Sequence, residues 1–209
     1  MALSSAEVLL RRAVSEPNEI RYLAEMLLKT IIYHMRNLNE LYNEFIADLE
    51  RGTLELETYV REIEELEKDL KIDLEFFQRI LETRKEEIKK TAEEMGITDE
   101  DRAVVFLMNL PILLKRVGCK TGNMGMVMLG IALGHAYGGR VKSSVCALFA
   151  ATAAQKNKWG YAADIWRRCL GTDLGAEVRL ICGLSKIVED FNLDELESLS
   201  EVLEELRHT

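Results

Sequence analysis

Apolar residues recur along the first half of the chain at alternating steps of three and four. The series runs Ile20, Leu23, Leu27, Ile31, Leu38, Leu41, Phe45 and Leu49, with His34 standing in one slot. Such a stripe marks an amphipathic helix with a heptad-like seam. It predicts a helix from about Asn18, just past Pro17, to Glu50, with a short helix over Ser4–Ser15 before it. Gly52 supplies the left-handed residue that a helix end prefers, and Thr53 is a candidate cap for the next helix. Leu56, Tyr59, Ile63, Leu66, Leu70, Phe77, Leu81, Ile88 and Met95 then carry the rhythm to Gly96. A register shift is expected near Asp73 and Leu74.

At about 1.5 Å per residue these two helices would measure roughly 45–50 Å and 60–65 Å. A turn as short as Arg51-Gly52-Thr53 makes them antiparallel neighbours. Two helices cannot enclose so long a seam, so another helix, another subunit or a partner must cover the remainder.

The second half has a different pattern. Thr98-Asp99-Glu100-Asp101 is a helix start, with a capping hydroxyl and acids in the first turn. The helix reads from Ala103 to Val117, and Pro111 should kink or split it. Gly118 to Gly125 reads as a loop. Gly130, Gly134 and Gly138 then recur every four residues within 124–137, a glycine strip against which another helix can pack closely. Residues 141–155 are apolar nearly all round, which places that helix at a domain centre. Shorter helices are predicted over 161–170 and 174–191. A last amphipathic helix starts at Asn192 or Asp194 and carries Leu196, Leu199, Leu203 and Leu206. The pattern is all-α: a long antiparallel, coiled-coil-like hairpin over residues 1–96 and a compact helical bundle over 97–209.

Composition agrees. The 209 residues include only two prolines, and 48% are hydrophobic against 30% charged. That is a globular balance, long enough to build its own core. Neither apolar stretch, 124–137 or 145–154, reaches the roughly 20 residues of a membrane span. The N-terminus has no basic-then-apolar leader pattern. The four cysteines, Cys119, Cys146, Cys169 and Cys182, lack CxxC spacing and read as buried free thiols. A cytoplasmic location is the expectation.

Charge changes the picture more. Between Ala103 and Leu170 lie nine bases and one acid, a net of +8 in a chain whose total is −9. The bases are Lys115, Arg116, Lys120, Arg140, Lys142, Lys156, Lys158, Arg167 and Arg168, and the acid is Asp164. Their number is ordinary for the length; the acids are what is missing. Several stand at helix ends or in loops, Lys156 and Lys158 among them beside Trp159 and Tyr161, a combination suited to phosphates and a stacking platform. These eleven residues are the candidate anion or nucleic-acid site, and its rival partner is an acidic protein surface.

Catalytic and ligand motifs are scarce. Gly118-Cys119-Lys120-Thr121-Gly122 fails as a phosphate loop, because Cys119 stands where glycine must precede Lys-Thr and no strand comes before it. Of His34, His135 and His208 only the last follows a glutamate at Glu-x-x-His spacing, Glu205, and at that position nothing is expected to face it as the second half of a metal site. No cofactor or metal is therefore expected. Cys119, beside Lys115, Arg116 and Lys120, is the one candidate nucleophile, if His135 lies near it in space. Over nine residues, Leu110–Gly118 is similar to an apolar-Pro-apolar-basic-Gly stretch in the small helical subunit of type III CRISPR effector complexes. The long helix pair has no counterpart in that family, so no family is assigned from it.

The leading expectation is a non-enzymatic assembly or adaptor subunit. Its helix pair would serve homo-oligomerisation or docking of a protein partner, and its basic face would bind an anionic partner, RNA or DNA. The alternative is a purely structural protein–protein interaction module. A helical-class enzyme using Cys119 is the third reading.

Overall fold

The computed structural model describes residues 11–66, 74–97 and 100–189, and among them every regular element is a helix. A helical stretch over 11–15 leads into α1 (Pro17–His34), α2 (Arg36–Arg51), α3 (Leu56–Leu66), α4 (Leu74–Thr83) and α5 (Lys85–Glu94). Next come α6 (Glu100–Thr121), α7 (Met124–Tyr137), α8 (Val141–Gln155), α9 (Trp159–Leu170) and α10 (Leu174–Glu189). The expected cap at Thr98-Asp99, the register shift at 70–73 and the last helix from Asn192 lie outside the described residues.

Helices α6 to α9 form successive hairpins joined by turns of two or three residues, and each packs on the next. Helices α7 and α8 are buried along almost their whole lengths, as a helix that is apolar on every face requires. The glycine strip works where α6 crosses α7. A Cβ on Gly130 would sit 2.8 Å from both the Pro111 carbonyl oxygen and Lys115 Cγ, whereas one on Gly134 would meet nothing nearer than Pro111 Cβ at 3.6 Å. Gly130→Ala should therefore destabilise by about 1–3 kcal/mol through overpacking. Gly134→Ala should stabilise by up to about 1 kcal/mol from helix propensity alone. Urea midpoints that move the same way for both variants would contradict that packing.

One expectation in this region is corrected. The presumed loop at Gly118 is helix, because α6 continues to Thr121 and Gly118 packs under Val127, whose Cγ2 an added Cβ would meet at 2.6 Å. Of the kink or split expected at Pro111, the split is absent, and α6 runs through it as one helix. A proline has no N–H, so it leaves the carbonyl of Leu107, four residues earlier, without its helical donor. The Tyr137 hydroxyl supplies one, donating to Leu107 O at 3.0 Å.

The seam in the first half is buried, and the chain's own second half covers it. Ile20, Leu23, Leu27, Phe45 and Leu49 are within 1% of complete burial. Helix α1 packs on α6 and α7, α2 on α8, and α3 on α8 and α9. Buried residues from both halves join in one hydrophobic core. Phe45 is a joint in this packing, its ring 4.6 Å from that of Phe149 on α8 and 5.5 Å from that of Tyr59 on α3. Beside it a buried polar chain crosses the same boundary. The Tyr42 hydroxyl donates to Thr152 Oγ1 at 2.8 Å, and Thr152 donates to the Leu148 carbonyl at 2.9 Å. Burial pushes the Tyr42 hydroxyl up to about 12.

The single long helix expected over Asn18–Glu50 is broken at Met35, which has left helical geometry (φ −111°, ψ 88°). The stripe loses phase there, so His34 is exposed, with its ring edge-on to Tyr33, and does not lie in a seam. Gly52 does end α2 in the left-handed region (φ 75°). Thr53 turns back: its hydroxyl donates to Asp48 Oδ1 at 3.2 Å, while the Tyr59 hydroxyl donates to Asp48 Oδ2 at 2.6 Å.

The cysteine reading is also corrected. Cys119 near the end of α6 and Cys182 on α10 form a disulfide, closing a sequence separation of 63 residues. Cys146 and Cys169 are free. Helix α10 is also held through Leu174 and Val178 in the core. At its N-terminal end the Trp166 indole N–H donates to Glu177 at 2.9 Å and to Thr172 at 3.1 Å.

Candidate interaction surfaces

Hairpin alternation decides where the basic residues fall. Lys120 in the last turn of α6 shares one end of the stack with Lys156, Lys158, Trp159 and Tyr161 at the α8–α9 turn. Arg116 lies one turn back from that end. Arg140 and Lys142 at the α7–α8 turn, with Arg167 and Arg168 closing α9, sit at the opposite end. The fourteen steps of α8 between Lys142 and Lys156 put the two groups about 20 Å apart at 1.5 Å per residue. Ten of the eleven candidates thus fall into two clusters, with Lys115 further back along α6 against Gly130.

Part of this charge is met within the chain. Lys156 pairs with Glu50 of α2, Arg168 with Glu57 of α3, and Arg167 with Asp164 at 3.6 Å. Hydrogen bonding and attraction from Arg168 hold the Glu57 carboxyl below its ordinary range. Lys115 is half-buried where α6 crosses Gly130, and burial lowers its pKa. Lys120, Lys158 and Arg140 are exposed, and Trp159 keeps 45% of its surface in solvent.

The nucleophile reading fails on the disulfide, since Cys119 has no thiol to ionise. His135 is half-buried on α7, its Nδ1 enclosed without a hydrogen-bond partner. Burial lowers its pKa, and the nearby Arg140 and Lys115 add to that while Glu177 opposes it. This is a packed neutral imidazole.

A surface the charge pattern did not indicate lies between α5 and α6. A cleft of about 350 Å³ is lined by Leu81, Ile88, Ala92, Leu107, Met108 and Tyr137, among others, with Glu82, Lys85, Lys89 and Glu93 along its rim. No family model, curated protein or solved structure matches the chain, so the surfaces must be read from their own chemistry. From the cleft an apolar ridge continues along α6 at four-residue steps: Val104, Met108 and Ile112 are 58%, 62% and 46% exposed. The opposite face of α6 buries Phe106, Leu110, Leu114 and Val117. Two apolar stripes on one helix are more than one core requires, and that excess is the sequence signal for this ridge. No helix among the described residues is long and apolar enough to cross a membrane.

Proposed function

We propose that this chain is a non-enzymatic adaptor or assembly subunit that docks an amphipathic helix of a protein partner in the cleft between α5 and α6. The exposed ridge Val104–Met108–Ile112 beside that apolar cleft carries the reading. An apolar floor between helices, with both signs of charge on its rim, is the form in which helix-in-groove recognition operates. The expected arm for self-association is not needed for it, because the seam of α1 and α2 is already covered by α6, α7 and α8.

The test uses a fluorescein-labelled amphipathic Leu/Glu/Lys peptide of about four turns, roughly 15 residues. Its anisotropy should rise with the intact chain, and Met108→Glu should weaken binding at least about tenfold, near 1.4 kcal/mol. Equal affinity for both proteins, or no binding to either, overturns the reading. A concentration-dependent dimer lost in Met108→Glu would make a second copy the occupant and overturn the separate partner.

One observation favours a second reading, an anionic partner such as single-stranded RNA or DNA: exposed Trp159 shares its end of the stack with Lys120 and Lys158. A fluorescent oligonucleotide should then bind at about 50 mM salt and lose orders of magnitude in affinity by about 200 mM. Lys120→Glu with Lys158→Glu should abolish binding. No binding at low salt removes this reading and leaves the cleft untouched.

A further inference from the structure

Cys146 and Cys169 play no part in that docking reading. They face each other across the α8–α9 hairpin, with their side chains within hydrogen-bond reach of one another. Cys146 is fully buried and Cys169 is partly open to solvent. Lys142 and Arg168 bring positive charge to Cys169, and Glu64 of α3 brings negative charge. Two thiols in contact, one reachable from outside and one behind it, have the arrangement of an attacking and a resolving cysteine.

We propose that Cys146 and Cys169 are a dithiol modification site that takes a low-molecular-weight disulfide such as oxidised glutathione and closes a second intramolecular disulfide, between α8 and α9. The Cys169 thiolate attacks one sulfur of the small disulfide and expels the other as a thiolate, leaving a mixed disulfide on Cys169. Cys146 gives up its proton to solvent and attacks the Cys169 sulfur, and the second small thiolate leaves. The protein loses two electrons and two protons, and one small disulfide becomes two thiols.

The order of attack follows from access, since Cys169 is partly open to solvent and Cys146 is completely buried. Hydrogen bonding with Cys146 holds the Cys169 thiol below its ordinary range, against its burial and Glu64 and with help from cationic Lys142 and Arg168. The same bond, then burial, then the Cys169 charge push Cys146 up. Once Cys169 is in a mixed disulfide, the hydrogen bond and charge that raise Cys146 are lost, while its burial still opposes ionisation. Because the second attack is intramolecular across the hairpin, resolution is favoured over accumulation of the mixed disulfide.

The folded full-length chain, with Cys119–Cys182 intact, would be incubated with oxidised glutathione, quenched with acid, alkylated after denaturation and digested with trypsin. Wild type should yield Ser143–Lys156 joined to Cys169–Arg179 by a disulfide, in monomeric protein. Cys146→Ser should instead accumulate glutathione on Cys169, in protein whose unchanged circular dichroism and melting transition show that it is folded. Cys169→Ser should stay unmodified at Cys146. Two alkylatable thiols in treated wild type, a stable mixed disulfide in wild type, or the joined peptide only in a dimer would each overturn the proposal.

Discussion

Phe45→Ala is expected to remove about 3–5 kcal/mol of stability, the range for truncating a fully buried phenylalanine. Phe45 is completely buried, and its ring meets Phe149 of α8 and Tyr59 of α3. Those neighbours belong to helices anchored elsewhere, so they cannot close on the space a missing ring leaves, and the upper part of the range applies. Stability of whole domains is about 5–15 kcal/mol, so this is a large fraction of the total. At roughly 2–4 °C per kcal/mol for a chain of this size, the melting temperature should fall by about 10 °C or more. Urea denaturation should show a lower midpoint with an unchanged slope. A loss under about 1 kcal/mol would mean that α2 and α3 do not share a core with α8.

Breaking the Cys119–Cys182 bond is the second large effect. Its 63-residue separation gives about 4 kcal/mol from restriction of the unfolded chain alone. The native state should also respond unevenly. Helix α10 is fixed at its start by Leu174, Val178 and the Trp166–Glu177 hydrogen bond, while Leu180 and Leu184 further along face solvent. In Cys182→Ser the part of α10 near position 182 should therefore exchange its amide protons faster, with the α7 and α8 amides still protected. Cys119→Ser should match it, and the double variant should be no worse than either single one. Unequal single variants would show that one sulfur has a role outside the bond.

The helices were legible in the sequence because their cause is local. The three-and-four spacing of Ile20 to Leu49 names residues that are buried, and Gly52 marks the end of α2. What covers that stripe was not legible, since α6, α7 and α8 come some fifty or more positions later and periodicity carries no information on pairing. At His34 the three-and-four spacing continues on paper, but the helix breaks at Met35 and the residue is exposed. Gly118 misled because a glycine chosen for a close crossing looks like one chosen for a turn. Cysteine spacing is silent on a bond spanning α6 and α10. The bases formed one block when counted along the chain, and only the alternation of hairpins divides them between two ends. The ridge on α6 was visible in principle, as apolar residues left over once one face had been assigned to the core.

Pro111 and Tyr137 constrain how this sequence can drift. With proline at 111, the Leu107 carbonyl relies on the Tyr137 hydroxyl, so losing that hydroxyl first strands a polar atom in a half-buried place. If position 111 first regains a residue with an N–H, the helix serves its own carbonyl and Tyr137 is released. The two positions are therefore open to change in one order and closed in the other. Because Tyr137 also lines the cleft, a lineage that keeps Pro111 keeps that hydroxyl in the cleft wall, whatever the cleft is used for.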